Sequence, residues 1–518
     1  MAEPGPDEVA TVAAAFDADF YRARNPDIEE AGLDPLQHFL DGGWREGRDP
    51  TPDFSVRAYL DANEDVALLG LNPFLHWLTH GRNEGRPLKL DLGFRHAILH
   101  RAVRLEDRIE LERGHDRPGG SAAKLAAALK PLGTRLFITV SHDAYVDRVG
   151  GVQLCIQREA AAAAQDGWSR LHLYPAIPAL VTDFETVDPV VGLIVNGQKK
   201  GLFSAALVAR ALSERAAPGL VRFAVHSFLG HSVEAVSAVL DAVGAREGFL
   251  WLHDQSSLCA GYTLLRNDIA FCGAPPIDSM ACGVCIYGLR RRVQVAEHAA
   301  FLERFEVTVL SPSQAQLDLW RHGAPYRADT ALAHPHATLV SAGAGAAAPV
   351  AAGPLKLAFL GFAADHKGWP IFETLARAYQ GDDRYAFLHL GAGAPAAGPW
   401  TTHAVSPDGM DAPTMIDAVR TLSVDVALIL SICPETFSFT AHEAVAGGAA
   451  VVALADSSAV ARLAADPKIG RVARDEDDLR GLFDSGAVTA LARAKRKPPL
   501  YDLAYSRVTA DFLPGAAA

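Results

Sequence analysis

From Arg135 onward, short apolar runs rich in β-branched and aromatic residues alternate with longer alanine-rich stretches, and this alternation restricts the fold more than any other feature. The runs RLFITV, LHLYPA, VVGLIV, VRFAVHS, GFLWLH and FEVTVLS come first, with helices predicted over Val152–Ala164 and Val233–Val243. The pattern breaks at SAGAGAAAPVAAGP and restarts with LKLAFLG, YAFLHLG, VDVALIL and AVVAL. Such alternation reads as βαβ units and a parallel sheet. The break predicts two consecutive Rossmann-like α/β units, over residues 131–345 and 346–485, with a ligand cleft between them. A helical segment is expected at 486–518.

The first 90 residues follow a different pattern. Laying the segment from Phe16 over that from Phe54 gives a constant offset of 38, with matches at Tyr21/Tyr59, Asn25/Asn63, Asp27/Asp65, His38/His76, Gly43/Gly81, Glu46/Glu84 and Arg48/Arg86. A period of this size predicts one supersecondary unit repeated, two short helices each, with Phe20, Tyr21, Leu36 and Phe39 as core and Glu-Gly-Arg as a structured turn. An all-α repeat of this kind is a packing or docking module, toward a protein partner or a membrane surface. Residues 91–130 read as a mixed-charge helix near Ala102–Arg113 and a linker, GHDRPGGSAAK.

Composition narrows the function. The 518 residues carry 48 Lys plus Arg against 61 Asp plus Glu, a net charge of -13. That balance argues against a nucleic-acid partner, whose phosphates call for cations. No apolar run approaches the roughly 18–20 residues that span a bilayer, and the acidic start MAEPGPDEVA is unlike a signal peptide. The expected location is the cytoplasm, with the first 90 residues able to dock at the inner face of a membrane.

The segment SICPETFSFTAHEAVAGGAAVVAL follows a buried strand, and in it Glu435 and Glu443 are seven residues apart. Ser438 or Thr440 can cap the helix through Ala441–Ala446, whose free N–H groups and dipole suit an anion. Lys367 stands just before Gly368 in a second strand-loop-helix. Gly150 and Gly151 open a helix after the first strand, where a missing Cβ lets a ligand come close. His253 and Asp254 end the strand GFLWLH, the edge at which doubly wound sheets bind ligands. Cys259, Cys272, Cys282 and Cys285 stand as C-x₁₂-C-x₉-C-x₂-C. That spacing admits a tetrahedral structural zinc, an iron–sulfur cluster or four separate reduced thiols.

From Arg135 to the C-terminus these features resemble the retaining nucleotide-sugar glycosyltransferases of the GT-B fold, family four. The resemblance rests on the E-x₇-E motif in its strand-loop-helix setting, the Lys-Gly loop, the glycine loop and the His-Asp pair. It implies that Glu435 contacts hydroxyls of the donor sugar, that the amides of Thr436, Phe437 and Ser438 contact sugar and diphosphate, and that Glu443 binds ribose. It implies that Lys367 neutralises the diphosphate and that His253, with Asp254, lies at the reacting centre. Family members with a cysteine-rich insertion after the same His-Asp pair match residues 253–288. One position departs: Phe362 stands where the family carries an arginine five residues before the lysine. The implied activity is transfer, with retention and without a catalytic metal, of a sugar from a nucleotide-diphosphate donor to a glycan, lipid-linked or protein acceptor. An epimerase or phosphorylase on the same fold, or a non-catalytic glycan-binding scaffold, would share the cleft.

Other motifs read as structural. Asp475-Glu476-Asp477 reads as an acidic helix start, Arg290 to Arg292 as a solvated helix face, and His226, His231, His334 and His336 fit no zinc spacing.

Overall fold

The computed structural model describes residues 5–89, 93–103, 105–113, 119–147, 149–177, 181, 188–215, 219–344, 353–393, 395–406, 409–495 and 499–515. Parts of both predicted connections, 114–118 and 345–352, lie outside the described residues.

The apolar runs form two sheets. In the first, eight strands run in the order Thr330–Ala333, Glu306–Ser311, Glu247–Trp251, Leu220–Val225, Arg135–Val140, Ser169–Pro175, Val190–Val195 and Gln198–Ser204. All neighbours are parallel up to Ser169–Pro175, and the last two strands are antiparallel. The second sheet has six parallel strands: Thr401–His403, Tyr385–Leu390, Leu355–Leu360, Val426–Ile429, Ala450–Leu454 and Gly470–Ala473. Its central strands are buried on both faces, which is why they read as unbroken apolar runs. In each sheet the first strand in sequence sits centrally and the order reverses there, so the loops leaving its C-terminal end and that of its neighbour open a crevice. With the helical module ahead of them, the two Rossmann-like units make the GT-B arrangement.

Each repeat of the module holds three helical pieces, not two. They are Ala18–Arg24, Pro26–Glu30 and Pro35–His38 with a π turn through Gly43, then Val56–Ala62, Glu64–Leu68 and Pro73–His76 with a π turn through Gly81. The extra break falls at Asn25 and Asn63, whose side-chain amides donate to the carbonyls of Tyr21 and Tyr59 at 2.7 and 2.8 Å and so end the first piece. The duplication is carried into contacts. Tyr21–His38 and Tyr59–His76 are both bonded at 2.9 Å. Arg48 and Arg86 each clamp the Asp and Glu of their own repeat.

The module is seated on the insertion that follows His253. Val284 belongs to the module's apolar core, and Arg266 lies 3.4 Å from both Asp61 and Glu64. Leu265 of the same insertion packs into the second sheet's core. Helix Ala122–Leu129, expected in the linker, contributes Leu125 and Leu129 to the first unit's core. The segment 486–518, expected as helical, is helix only over Ala487–Lys495. Pro499–Tyr505 is a strand paired antiparallel with Ala337–Ala344, and the chain then turns back at Val508–Phe512 onto helix Gly151–Gln165. The run PLYDLAY gains ladder hydrogen bonds from a partner that local sequence does not reveal. No helix among the described residues is long and apolar enough to cross a membrane.

Burial at the module's contact pushes the Asp61 carboxyl up to about 6, against the pull of Arg266. A folded-state value above the unfolded one means the native state binds the extra proton, so stability falls as pH rises from about 4 to about 6. Two pKa units correspond to about 3 kcal/mol. Asp61→Asn should remove this decline, so that urea unfolding at pH 4.5 and pH 7.5, compared with wild type, shows a smaller difference. Parallel curves for the two proteins would contradict the assignment.

Candidate functional site

Both crevices are lined by loops that leave the C-terminal ends of strands. The first sheet supplies Gly150 and Gly151 after Arg135–Val140, His226 after Leu220–Val225, and His253 with Asp254 after Glu247–Trp251. The second supplies Lys367 after Leu355–Leu360 and the loop Leu430–Ser438 after Val426–Ile429. Thr436 Oγ1 donates to the carbonyl of His253 at 3.0 Å, and a Cβ on Gly151 would lie 3.7 Å from the Phe439 ring. The two sets of loops therefore meet.

At the centre Lys367 Nζ donates to both carboxylate oxygens of Glu435, at 2.8 and 2.9 Å, and Ser431 Oγ donates to the same carboxylate. Glu435 is buried. Burial alone would raise its pKa, but Lys367 and the Ser431 hydroxyl hold it below the ordinary carboxylate range. The Lys367 ammonium is disfavoured by burial, yet Glu435 outweighs this and raises it. Gly368 makes the geometry possible: its φ is 79°, and a Cβ there would come within 1.9 Å of the Leu430 carbonyl oxygen.

Ser438 caps helix Phe439–Gly447, its Oγ accepting from Ala441 N at 3.2 Å, so the helix N-terminus points into the gap. Phe437 stacks on His442 with ring centroids 4.4 Å apart. Glu443, one turn into the helix, is half-buried; burial raises its pKa and Arg158 pulls it back. Arg158 lies 3.7 Å over the Tyr505 ring and 5.3 Å from that of Phe439. Asp254 is taken up locally, accepting from Ser227 Oγ at 2.6 Å and Ser256 N at 2.8 Å. Phe362 is 71% exposed and brings no charge to the cleft.

Sequence reasoning passed over a buried group beside His253. His226 Nδ1 lies 2.9 Å from His253 Nε2, and His336 Nε2 lies 3.3 Å from His253 Nδ1. Glu159 backs His226 at 3.0 Å. The run VRFAVHS places a histidine, His226, just past the end of its strand as GFLWLH does His253, so the signal that selected His253 was also present for His226.

The cysteine expectation is corrected. Cys259, Cys272, Cys282 and Cys285 do line one cavity of about 190 Å³. Among the described residues, however, no three His, Cys, Asp or Glu side chains are grouped so as to hold a metal ion, and the four cysteines are free thiols. A zinc does not fit this arrangement. A buried cation already occupies the neighbourhood: Arg291, 2% exposed, donates to Cys282 Sγ at 3.0 Å and to the carbonyls of Leu258 and Pro275. Arg290 is buried as well, so only Arg292 of that run fits the solvated face expected from sequence.

No known protein family matches the chain, and no curated protein does. Among solved structures, a sucrose-phosphate synthase from Thermosynechococcus elongatus is 14% identical, with a TM-score of 0.46, over 70% of this chain and 93% of that one. Anabaena HepE, solved with UDP-glucose, is 14% identical at a TM-score of 0.42 over 70% and 93%. The pneumococcal O-GlcNAc transferase GtfA, solved with UDP and GlcNAc, is 7% identical at 0.42 over 70% and 94%. At these values the likenesses carry no argument, and the site is read from this chain's own residues.

Removing Lys367 would leave Glu435 buried without its cation. Breaking a buried pair costs about 3–5 kcal/mol, and because the Lys367 side chain is 40% exposed the expected loss is smaller, about 1–2 kcal/mol. Lys367→Ala should lower the melting temperature, and adding Glu435→Gln should recover most of the loss. A double variant as unstable as the sum of the two single variants would show that the pair is not coupled.

Proposed function

We propose that the chain is a retaining glycosyltransferase that moves a sugar from a nucleotide-diphosphate donor to a hydroxyl of a glycan, lipid-linked or protein acceptor. One observation carries the reading: the Lys367–Glu435 pair lies beside the N-terminus of helix Phe439–Gly447, with the Gly151 loop of the other unit opposite. That combination offers a cation and free N–H groups to a diphosphate, and a carboxylate to sugar hydroxyls.

In this reading the diphosphate draws Lys367 away from Glu435, which becomes free to accept from the donor sugar. Charge gathers on the departing diphosphate as the anomeric bond loosens, and Lys367 with the amides of Thr436, Phe437 and Ser438 stabilises it. Glu443 takes the ribose. The acceptor enters from the side of Gly150, Gly151 and His253, on the same face as the leaving group, and the leaving phosphate assists its deprotonation. The side chains at the cleft supply no evident covalent nucleophile and the scheme calls on no metal. The module over residues 1–90 serves docking, to an acceptor-bearing partner or a membrane surface, and the protein works in the cytoplasm.

The exposed Phe362 favours one alternative, a scaffold that binds sugar nucleotides without turning them over. Donor hydrolysis or transfer by the wild type separates the two. A thermal-shift screen should show stabilisation by a nucleoside diphosphate and by its sugar conjugate, rising with concentration as RT ln(1 + [L]/Kd). Lys367→Ala, assayed well below its melting temperature, should lower transfer at least about a hundredfold, or about 2.7 kcal/mol in the barrier. Transfer near the wild-type rate in that variant would remove Lys367 from the donor site.

A further inference from the structure

Four side chains behind the cleft form one continuous line of hydrogen bonds. It begins in the C-terminal tail, where the Thr509 amide donates to Glu159 Oε2 at 3.0 Å. Glu159 Oε1 lies 3.0 Å from His226 Nε2, His226 Nδ1 lies 2.9 Å from His253 Nε2, and His253 Nδ1 lies 3.3 Å from His336 Nε2. The line stops at His336 Nδ1, which is buried and has no protein partner. Glu159 and His226 are wholly buried, His336 is 3% exposed, and the imidazoles of His226 and His253 are stacked within 18° of parallel.

The order of protons along this line follows from its first member. A carboxylate only accepts, so His226 donates to Glu159 through Nε2 and its Nδ1 accepts from His253 Nε2. His253 then donates through Nε2 and accepts at Nδ1, and His336 donates through Nε2. Both nitrogens of His253 are consumed inside the protein, leaving none for a sugar. Burial holds His253 and His336 well below the ordinary histidine pKa, which keeps these two rings neutral.

The free end lies against the N-terminal end of the helix that carries Glu443. The His336 ring is stacked on Phe439 at 5.9 Å and meets Phe437 edge-on at 5.4 Å. Arg158 Nη1, over the same Phe439 ring, is also buried without a partner. An unmet acceptor and an unmet donor therefore flank the Phe439 ring, each leaving a buried group unsatisfied at a cost of about 1–3 kcal/mol. A polyhydroxylated ligand carries partners for both.

We propose that Glu159 and His226 are positioning residues whose one-way hydrogen bonding leaves His336 Nδ1, rather than a nitrogen of His253, as the acceptor for a hydroxyl of the bound sugar nucleotide or of its acceptor. This rests on the transfer reading above. Reaching Nδ1 requires the Phe437 and Phe439 rings, which cover His336, to swing aside.

The experiment uses the full-length protein with nitrogen-15-labelled histidine, whose long-range proton–nitrogen spectra distinguish the two neutral tautomers. His226, His253 and His336 should all be Nε2–H. In Glu159→Gln the single amide oxygen keeps the Thr509 amide, so the NH₂ group faces His226 Nε2 and all three rings should reverse to Nδ1–H. Wild-type rings already protonated at Nδ1, or a reversal confined to His226, would overturn the relay. A second variant, His336→Phe, keeps an aromatic ring against Phe439 and reads the hydroxyl. If the donor sugar supplies it, affinity for UDP-glucose falls at least about tenfold while affinity for UDP holds. If the acceptor supplies it, donor affinity and donor hydrolysis hold while the acceptor KM rises at least about tenfold. No change in any of these would overturn the role of His336. A wild type that binds neither probe would instead count against the transfer reading, with the tautomers still reporting on the relay.

Discussion

A carboxylate buried between two α/β units is tolerable only with a cation and a hydrogen bond to meet it, and Glu435 has both, in Lys367 and Ser431. The consequences reach through both loops of the second sheet's crevice. Lys367 can turn back to Glu435 because Gly368 adopts a left-handed conformation against the Leu430 carbonyl. The loop that carries Glu435 then delivers Ser438 to cap the next helix and Thr436 to the carbonyl of His253 in the other unit. The pair is thus both a support for the cleft and a charge arrangement that a diphosphate can displace.

Polar contacts also decide how the remaining parts attach. The insertion after His253 shares apolar residues with three cores, through Leu258, Leu265 and Val284. Arg291 is threaded among its carbonyls and one thiol, where a metal would otherwise supply the cross-links. The same insertion receives the helical module through Arg266, so the module is joined to the body of the protein rather than tethered beside it. The tail is tied back to the first α/β unit: Trp251 Nε1 donates to Thr509 Oγ1 at 2.8 Å, while the Thr509 amide serves Glu159.

Much of this was legible beforehand. The central strands of both sheets announced themselves because a strand buried on both faces must be apolar along its length, while the edge strands Gln198–Ser204, Thr330–Ala333, Thr401–His403 and Gly470–Ala473 did not; the duplication announced its contacts because equal residues at equal spacing repeat the same Tyr–His bond. The antiparallel strand Gln198–Ser204 was passed over although Asn196-Gly197, both at positive φ, is a hairpin signal. The strands Ala337–Ala344 and Pro499–Tyr505 gave little such signal, since each is stabilised chiefly by the other across more than 150 residues. Of the candidate site, Lys367, Glu435, Ser438 and His253 were visible as polar residues at strand or helix ends, the positions where backbone geometry alone directs a side chain to the crevice.

By itself, then, the amino-acid order determined the alternation of strand and helix, the repeat, and the residues presented at the C-terminal edges of two sheets. These are local matters, governed by periodicity and by glycine, proline and capping residues a few positions apart. The tertiary structure decided which of those residues pair and which atoms are left unmet. Whether four cysteines converge on a metal or one of them bonds a buried arginine, and whether His253 faces a ligand or spends both nitrogens on His226 and His336, depends on distances set by packing between distant segments. A hydrogen bond is lost within a fraction of an ångström and a few tens of degrees, a tolerance that sequence spacing cannot specify.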